Sequence, residues 1–207
     1  MAPASDILLA AGRFAFDIEQ NAIQQAFFAV DETRFVRAVE LLAVAPRIAA
    51  SGCGHSGIAC MHFAHLMCCI ERPARFLSPA EATHGASGFL QAGDVLLLAS
   101  RGGKTAELLP ILDIAKHKGA SVITVTENEA SPLAQGADVV LRMAVTRETD
   151  RFNSQGTTSF TVQAVLFHAL QAALIERTGY CNEQFRLIHP GGAVGERLGG
   201  AKTDSSR

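Results

Sequence analysis

The chain has 207 residues, enough for one domain with a sizeable core, and its 48% hydrophobic content excludes a disordered chain. A formal net charge of -2 excludes the basic footprint of a nucleic-acid binder. Five scattered cysteines with no CxxC pair fit a reducing cytoplasm, and an N-terminus without a basic start, its apolar run interrupted by Arg13, does not read as a secretory signal.

Asp6 to Val30 places Ile7, Ala11, Phe14, Ile18 and Phe27 at helical spacing. Asp31 is placed to cap a second helix that ends at Val44, with Phe35, Val39 and Leu42 on one face. The pattern then changes. Arg47 to Ser51 reads as a strand, followed by a glycine turn and a helix free of charges to Ile70. Ala74 to Leu77 is a second strand, and Ser78 to Gly93 a polar, irregular loop. Asp94 to Ser100 is a third strand, with Thr105 to His117 as its helix. Ser121 to Val125 and Asp138 to Met143 are strands four and five, and a helix from Thr157 to Arg177 closes the core. Phe152 to Ile175 carries no Asp, Glu, Lys or Arg, but its threonines, glutamines and His168 mark a buried helix with a polar approach, not a membrane span. The tail after Leu198 reads as disordered.

Strands alternating with helices imply a parallel sheet covered on both faces. Ligands of such sheets bind beyond the carboxyl ends of the strands. That convention gathers three loops: Gly52 to Ser56, Ser100 to Lys104, and Thr146 to Ser159.

The middle loop, Ser100-Arg101-Gly102-Gly103-Lys104-Thr105, ends like a P-loop, but that motif needs a glycine where Leu98 stands. It is too short to wrap a triphosphate. Two glycines at a strand-to-helix junction, with Ser100 and Thr105 as hydroxyl donors and Arg101 or Lys104 as charge, suit a single phosphate. Read alone, the loop suits an ordinary solvated turn equally well.

Gly52-x-Gly54-x-x-Gly57 has the spelling of a dinucleotide fingerprint. The fingerprint also needs an acid at the end of the next strand, and Leu77-Ser78 supplies none. What survives is a glycine turn, with Gly54 and Ser56, feeding an anion-friendly helix start. The cysteines and histidines between Cys53 and Cys69 lack any zinc-ligand spacing, so no metal is expected. His62, His65 and His168 fall on helices, whereas His55, His84 and His189 fall in glycine-rich loops where an imidazole can reach a ligand. Glu148 is a candidate base; its plain alternative is a surface carboxylate paired with Arg147 or Arg151. Thr157, Thr158 and Ser159 are either helix-capping hydroxyls or further donors to the same phosphate.

From about Arg47 to Leu198 the chain resembles the sugar isomerase (SIS) domain family, nearest its arabinose-5-phosphate isomerase branch. The marks are Gly52-x-Gly54-x-Ser56-Gly57, Pro79-Ala80-Glu81-Ala82-x-His84-Gly85, the Ser100 loop, the Thr/Ser run at 157–161, and His189-Pro190-Gly191-Gly192-Ala193-Val194-Gly195-Glu196-Arg197-Leu198. The resemblance implies a three-layer α/β sandwich with a five-stranded parallel sheet. Residues 1–45 would be helices packing on the core or on a partner subunit, 46–198 the phosphosugar-binding domain, and 199–207 a disordered tail. It implies a homodimer or homotetramer, a sugar monophosphate on the Ser100 to Thr105 loop, and no cofactor. Many relatives carry a pair of CBS domains after the last motif, and this chain is expected to lack them.

The family's catalytic positions fall on His55, His84, Lys104, Glu148 and His189. Two depart from its pattern: His55 stands where the isomerases have lysine, and Lys104 where they have glutamate. The expected function is aldose–ketose isomerisation of a phosphosugar in the cytoplasm, with Glu148 as base, His189 as acid or oxyanion contact, and His84 and His55 lining the sugar. The rival expectation is a sugar-phosphate sensor without turnover.

Overall fold

The computed structural model describes residues 4–200. Two helices precede the sheet, α1 (Ala4–Ala29) and α2 (Glu32–Val44), and Asp31 caps α2 by accepting from the Arg34 N–H at 2.9 Å. The sheet elements follow in alternation: β1 (Ile48–Gly52), α3 (Gly54–Cys68), β2 (Ala74–Phe76), α4 (Pro79–Ala82), β3 (Val95–Ala99), α5 (Leu109–His117), β4 (Ser121–Thr126), α6 (Pro132–Gly136), β5 (Val139–Arg142) and α7 (Thr157–Thr178). Two short helices end the described chain, α8 (Asn182–Ile188) and α9 (Gly192–Gly200).

All five strands are parallel, in the order β2-β1-β3-β4-β5. Alternate residues of each central strand enter opposite layers. Ile48, Ala50, Val95, Leu97, Ile123 and Val125 face a core built with α1, α2, α3 and α7. Ala49, Leu96, Leu98 and Val122 face a second core with Leu108, Ile111 and Leu112 beside α5. The expected three-layer α/β sandwich is the observed one. Helix α7 is long and apolar enough to span a membrane by length and composition. Its Val162, Phe167, Leu170 and Leu174 are instead buried in the first core.

Three local expectations change. The segment 78–93 is not wholly irregular: Pro79 starts α4, and Ala86–Phe89 form a 3₁₀ turn. The helix expected from Thr105 opens as a 3₁₀ turn, Ala106–Leu108, and becomes α-helical only at Leu109. Pro110 explains this, because a prolyl ring deeper in an α-helix would clash with the carbonyl four residues before it. Helix α9 runs through the glycines to Gly200, past the expected start of the tail at 199; residues 201–207 lie outside the described residues.

Helices α3 and α7 meet along Phe63 and Phe167, whose ring centroids are 4.9 Å apart. Beside them, His62 Nε2 and His168 Nε2 lie 2.9 Å apart. Burial, followed by the neighbouring His168 and His65, holds the His62 imidazole below its usual range. One proton satisfies the pair; two would set like charges face to face. The native chain therefore takes up this proton less readily than the unfolded chain, and stability falls as pH drops through about 6.5. Urea midpoints at pH 7.5 and 5.5 should show that acid-side loss in the parent protein, and a smaller loss in His62→Gln.

Candidate active site

Strands β1 and β3 are neighbours whose crossovers leave in opposite directions, β1 toward β2 and β3 toward β4. Their carboxyl ends therefore flank an open crevice, the place where such sheets take ligands. The first loop at this crevice is the glycine turn from Gly52 to Gly57. A Cβ on Gly52 would sit 2.8 Å from the Ser56 backbone, and one on Gly57 would sit 2.7 Å from the Gly52 oxygen. The strand end and the first turn of α3 thus touch backbone to backbone, which only glycine permits. Gly54 has φ +56, and the N-cap residue Cys53 makes no side-chain cap bond, leaving the first N–H groups of α3 uncapped. Ser56 accepts from Gln163 Nε2 at 3.0 Å, tying the turn to α7.

The second loop is Ser100 to Thr105. Gly103 N–H donates to Ser100 Oγ at 3.1 Å, and Ser100 Oγ pairs with Thr105 Oγ1 at 2.8 Å. The Arg101 carbonyl accepts from Glu127 N–H at 2.9 Å and Thr126 Oγ1 at 3.0 Å, and the Gly103 carbonyl accepts from Leu133 N–H at 3.2 Å. The loop is therefore fastened to the end of β4 and the start of α6. Gly102 and Lys104 remain exposed on its outer side, and Lys104 makes no ion pair among the described residues.

The third loop carries Glu148, which is only 2% exposed. Its Oε1 accepts from Arg101 Nη1 at 2.7 Å; its Oε2 accepts from Ser159 N–H at 3.2 Å and Thr157 Oγ1 at 3.3 Å. Glu148 is thus an anion seated at the N-terminus of α7 and paired with an arginine from another loop. The surface pairing with Arg147 or Arg151 does not describe it. Asn153, in the left-handed region at φ +58, accepts from Glu148 N–H at 2.6 Å and fixes its backbone. Asp150 holds the rest of the loop by accepting from Phe152, Ser154 and Gln155 N–H groups, and these bonds, that from Gln155 foremost, keep its carboxyl below the usual range.

Not every expected residue lies where a phosphate could meet it. Thr158 and Ser159 are buried, with Thr158 Oγ1 donating to Glu19 on α1 at 3.4 Å. Thr157 is partly exposed but spans Glu148 and Thr149. Arg101 turns away from the solvent side of its loop toward two carboxylates, Glu127 and Glu148. The side chains left open to the crevice are fewer. His84 lines a cleft of about 600 Å³ together with Gly54, Cys53, Glu81 and Glu107. Burial, then Glu107, pushes the Cys53 thiol up, so it is not a ready thiolate. His55 is exposed, and a Cβ on Gly156 would come within 2.9 Å of its Nδ1; it bridges the glycine turn to the start of α7. Glu148 lies outside this cleft, behind Arg101 and Thr157.

His189 is elsewhere. It follows α8, and Gln184 of α8 bonds Glu71, just past the far end of α3, at 2.9 Å. Helix α7, about 33 Å long at 1.5 Å per residue, separates that end from Glu148. Within one chain the structure unites His55, His84, the Ser100 loop and Glu148 at one edge of the sheet and places His189 at the other. Glu127, Asn153 and Glu107 escaped the sequence reading; only Asn153, a residue tolerant of the left-handed region, left a local signal. Among the described residues, no three His, Cys, Asp or Glu side chains converge as metal ligands would.

Gly103 is where the loop is most confined. It has φ +65, and an added Cβ would overlap Ser131 and come within 2.9 Å of Thr126 Oγ1. Gly103→Ala should therefore cost at least about 2 kcal/mol in urea unfolding. Gly102→Ala, with open space around it, should cost less than half as much.

A family model described as the SIS domain matches residues 41–173. Arabinose 5-phosphate isomerase KdsD of Pseudomonas aeruginosa is 38% identical over 182 residues, covering 87% of this chain and 56% of its own length. Arabinose 5-phosphate isomerase KpsF of Escherichia coli is 32% identical over 181 residues, covering 87% and 55%. The chain thus spans about half the length of these curated relatives. Among solved structures, a candidate sugar-phosphate isomerase from Listeria monocytogenes superposes with a TM-score of 0.89 at 38% identity, covering 92% of this chain and 100% of that one. A protein of E. coli CFT073, solved in complex with a sugar phosphate, gives a TM-score of 0.84 at 28% identity, covering 91% and 100%. On sequence and fold together, the chain belongs to the SIS domain family.

Proposed function

We propose that the chain is a phosphosugar aldose–ketose isomerase, acting on a substrate of the arabinose 5-phosphate type. One observation carries the reading: a buried carboxylate, Glu148, is bonded to Arg101 of the Ser100 loop, beyond the carboxyl end of β3. The names of the relatives described above support the reaction class.

The chemistry needs three things. A base must remove the proton on the carbon next to the carbonyl, whose bonding pair then forms the enediol double bond. A donor must give a proton to the carbonyl oxygen as that happens. The hydroxyl on the deprotonated carbon must then give its own proton back to that donor and become the new carbonyl, while the base returns the first proton to the former carbonyl carbon. Glu148 is the base in this reading. Three donors meet its two oxygens, which offer about four lone-pair sites, so one remains for the substrate. The phosphate takes the outer face of the loop, the Gly102 backbone and Thr105, with Lys104 supplying charge, while the buried Ser100 and Gly103, expected as ligands, are bonded to each other and set the loop's shape. His84 and His55 line the sugar. His189 sits too far away to serve its own chain's Glu148, so as acid or oxyanion contact it acts from a second copy in a homodimer or homotetramer. The chemistry calls for no metal or nucleotide.

A second reading, sugar-phosphate binding without turnover, is favoured by the 2% exposure of Glu148 and its position outside the cleft. Incubation with pentose and hexose phosphates in deuterated water decides between them, because only an isomerase exchanges the C2 proton. Glu148→Gln keeps the shape and loses the basicity, and should lower kcat about 10²–10⁴-fold on the substrate that exchanges. Turnover retained within a few-fold would move the base to another group, with Glu81 and Glu107, which line the cleft, next in line.

The residues His55 and Lys104 set a further expectation. Lys104 is exposed on the phosphate loop and makes no ion pair among the described residues, whereas His55 packs beside Gly156 and Phe160. Lys104→Ala should therefore weaken phosphosugar binding more than His55→Ala does. His55→Lys combined with Lys104→Glu should raise turnover of arabinose 5-phosphate above that of the parent. Both effects are measured by calorimetry and by exchange rate.

A further inference from the structure

Arg101 stands next to Ser100, in the loop that the proposed function assigns to the phosphate. Its guanidinium does not face outward with that loop. Nε donates to Glu127 Oε2 at 2.8 Å, Nη1 to Glu148 Oε1 at 2.7 Å, and Nη2 to the Val145 carbonyl at 3.2 Å. Its own carbonyl is held from below by Glu127 N–H and Thr126 Oγ1. Three of its five N–H donors are thus spoken for, each by an acceptor on a different residue. One positive charge lies between two negative ones, and one of those carboxylates is the most buried in the site.

We propose that Arg101 is a positioning residue: it does not bind the phosphate, but fixes the Glu148 carboxylate in place and ties it to the loop that does. This inference rests on the reading of Glu148 as the base.

The geometry gives Arg101 two effects on Glu148. It neutralises a carboxylate that is shut off from water, and a buried charge deprived of its partner is strongly disfavoured. It also fixes direction: Glu127 and the Val145 carbonyl hold the planar guanidinium, so Nη1 meets Oε1 from one set direction while Thr157 and Ser159 hold Oε2. The remaining charged neighbours do neither. Arg147 reaches only the main-chain oxygen of Glu148, with Nε at 3.4 Å, and Glu127 acts through Arg101. From α7 come an N–H and a hydroxyl, and no charge. Lysine at position 101 could supply the charge and not the fork, which makes the two effects separable.

The test has two arms. In the first, the protein carries ¹³C-labelled glutamate carboxyls, and the Glu148 resonance is identified by its loss in Glu148→Gln. Arg101→Gln should shift the titration of that resonance to higher pH, and Arg101→Lys should bring it most of the way back. An unchanged titration in Arg101→Gln overturns the proposal, whatever the activity. In the second arm, exchange of the C2 proton of D-arabinose 5-phosphate is followed in Arg101→Gln. The expected result is a kcat roughly 10–100-fold lower, KM within about threefold of the parent, and the acid limb of the pH–rate profile moved upward. The double variant with Glu148→Gln should be no slower than Glu148→Gln alone. A tenfold rise in KM with kcat unchanged would make Arg101 a phosphate ligand and overturn the proposal. Should Glu148→Gln keep full turnover, the reading of Glu148 as base fails, and the carboxyl titration then judges the role of Arg101 alone.

Discussion

The parallel ladder between β1 and β3 runs from Ile48 opposite Val95 to Gly52 opposite Ala99, so the two strands end level with each other. Every residue of both is buried, which leaves no side chain free to shift the register by one without turning a whole face inside out. From that shared height the glycine turn and the Ser100 loop set out in opposite directions. A crevice must open between them, and the N-terminus of α7 is brought up to it by packing against α3 and the sheet. The geometry of the site is thus an outcome of strand pairing before any functional side chain is considered.

Seating Glu148 there carries an energetic obligation. An ionised carboxylate at 2% exposure is tolerable only with a cation and hydrogen bonds that match it. The fold supplies both from separate places: the arginine comes from the loop after β3, the N–H from the first turn of α7. Glu127 balances that arginine from the loop after β4, and Asn153 fixes the backbone behind the carboxylate. No two neighbouring residues in the sequence make this arrangement. It exists only once the sheet has formed, and it links the order of three loops to one another.

The sheet was legible in the sequence for a simple reason. A buried parallel strand is a short apolar run bounded by turn residues, and Val95–Ala99 and Ser121–Thr126 both read that way. The helices α1, α2 and α7 announced themselves by length, periodicity or, at Asp31, a cap. Short elements did not: α6 and α8 are less than two turns long and too brief for a period to show, and α9 lies among glycines that argue against a helix. At the site, the positions of His84, Lys104 and Glu148 could be placed because each follows a strand. What the sequence could not show was direction. Arg101 and Lys104 are both cations in one glycine-rich loop, yet one points into a carboxylate pair and the other into solvent. Likewise Thr157, Thr158 and Ser159 are three hydroxyls in a row, and the helix they begin turns two of them into the core. Nor does spacing along the chain reveal that His189 lies a helix length from Glu148.

The side chains around the crevice divide by what else they hold up. Those of His55, His84 and Lys104 form no side-chain hydrogen bond or ion pair among the described residues, whereas Arg101, Glu148 and Thr157 are each bonded to at least two other groups. His84 and Lys104 can be exchanged without breaking a bond that holds the loops together, whereas His55 also packs beside Gly156 and the Phe160 ring. The second three are bound up with the fold itself. A change at His84 or Lys104 therefore leaves the seat of the buried carboxylate as it is, while one at Arg101 or Thr157 reaches it directly.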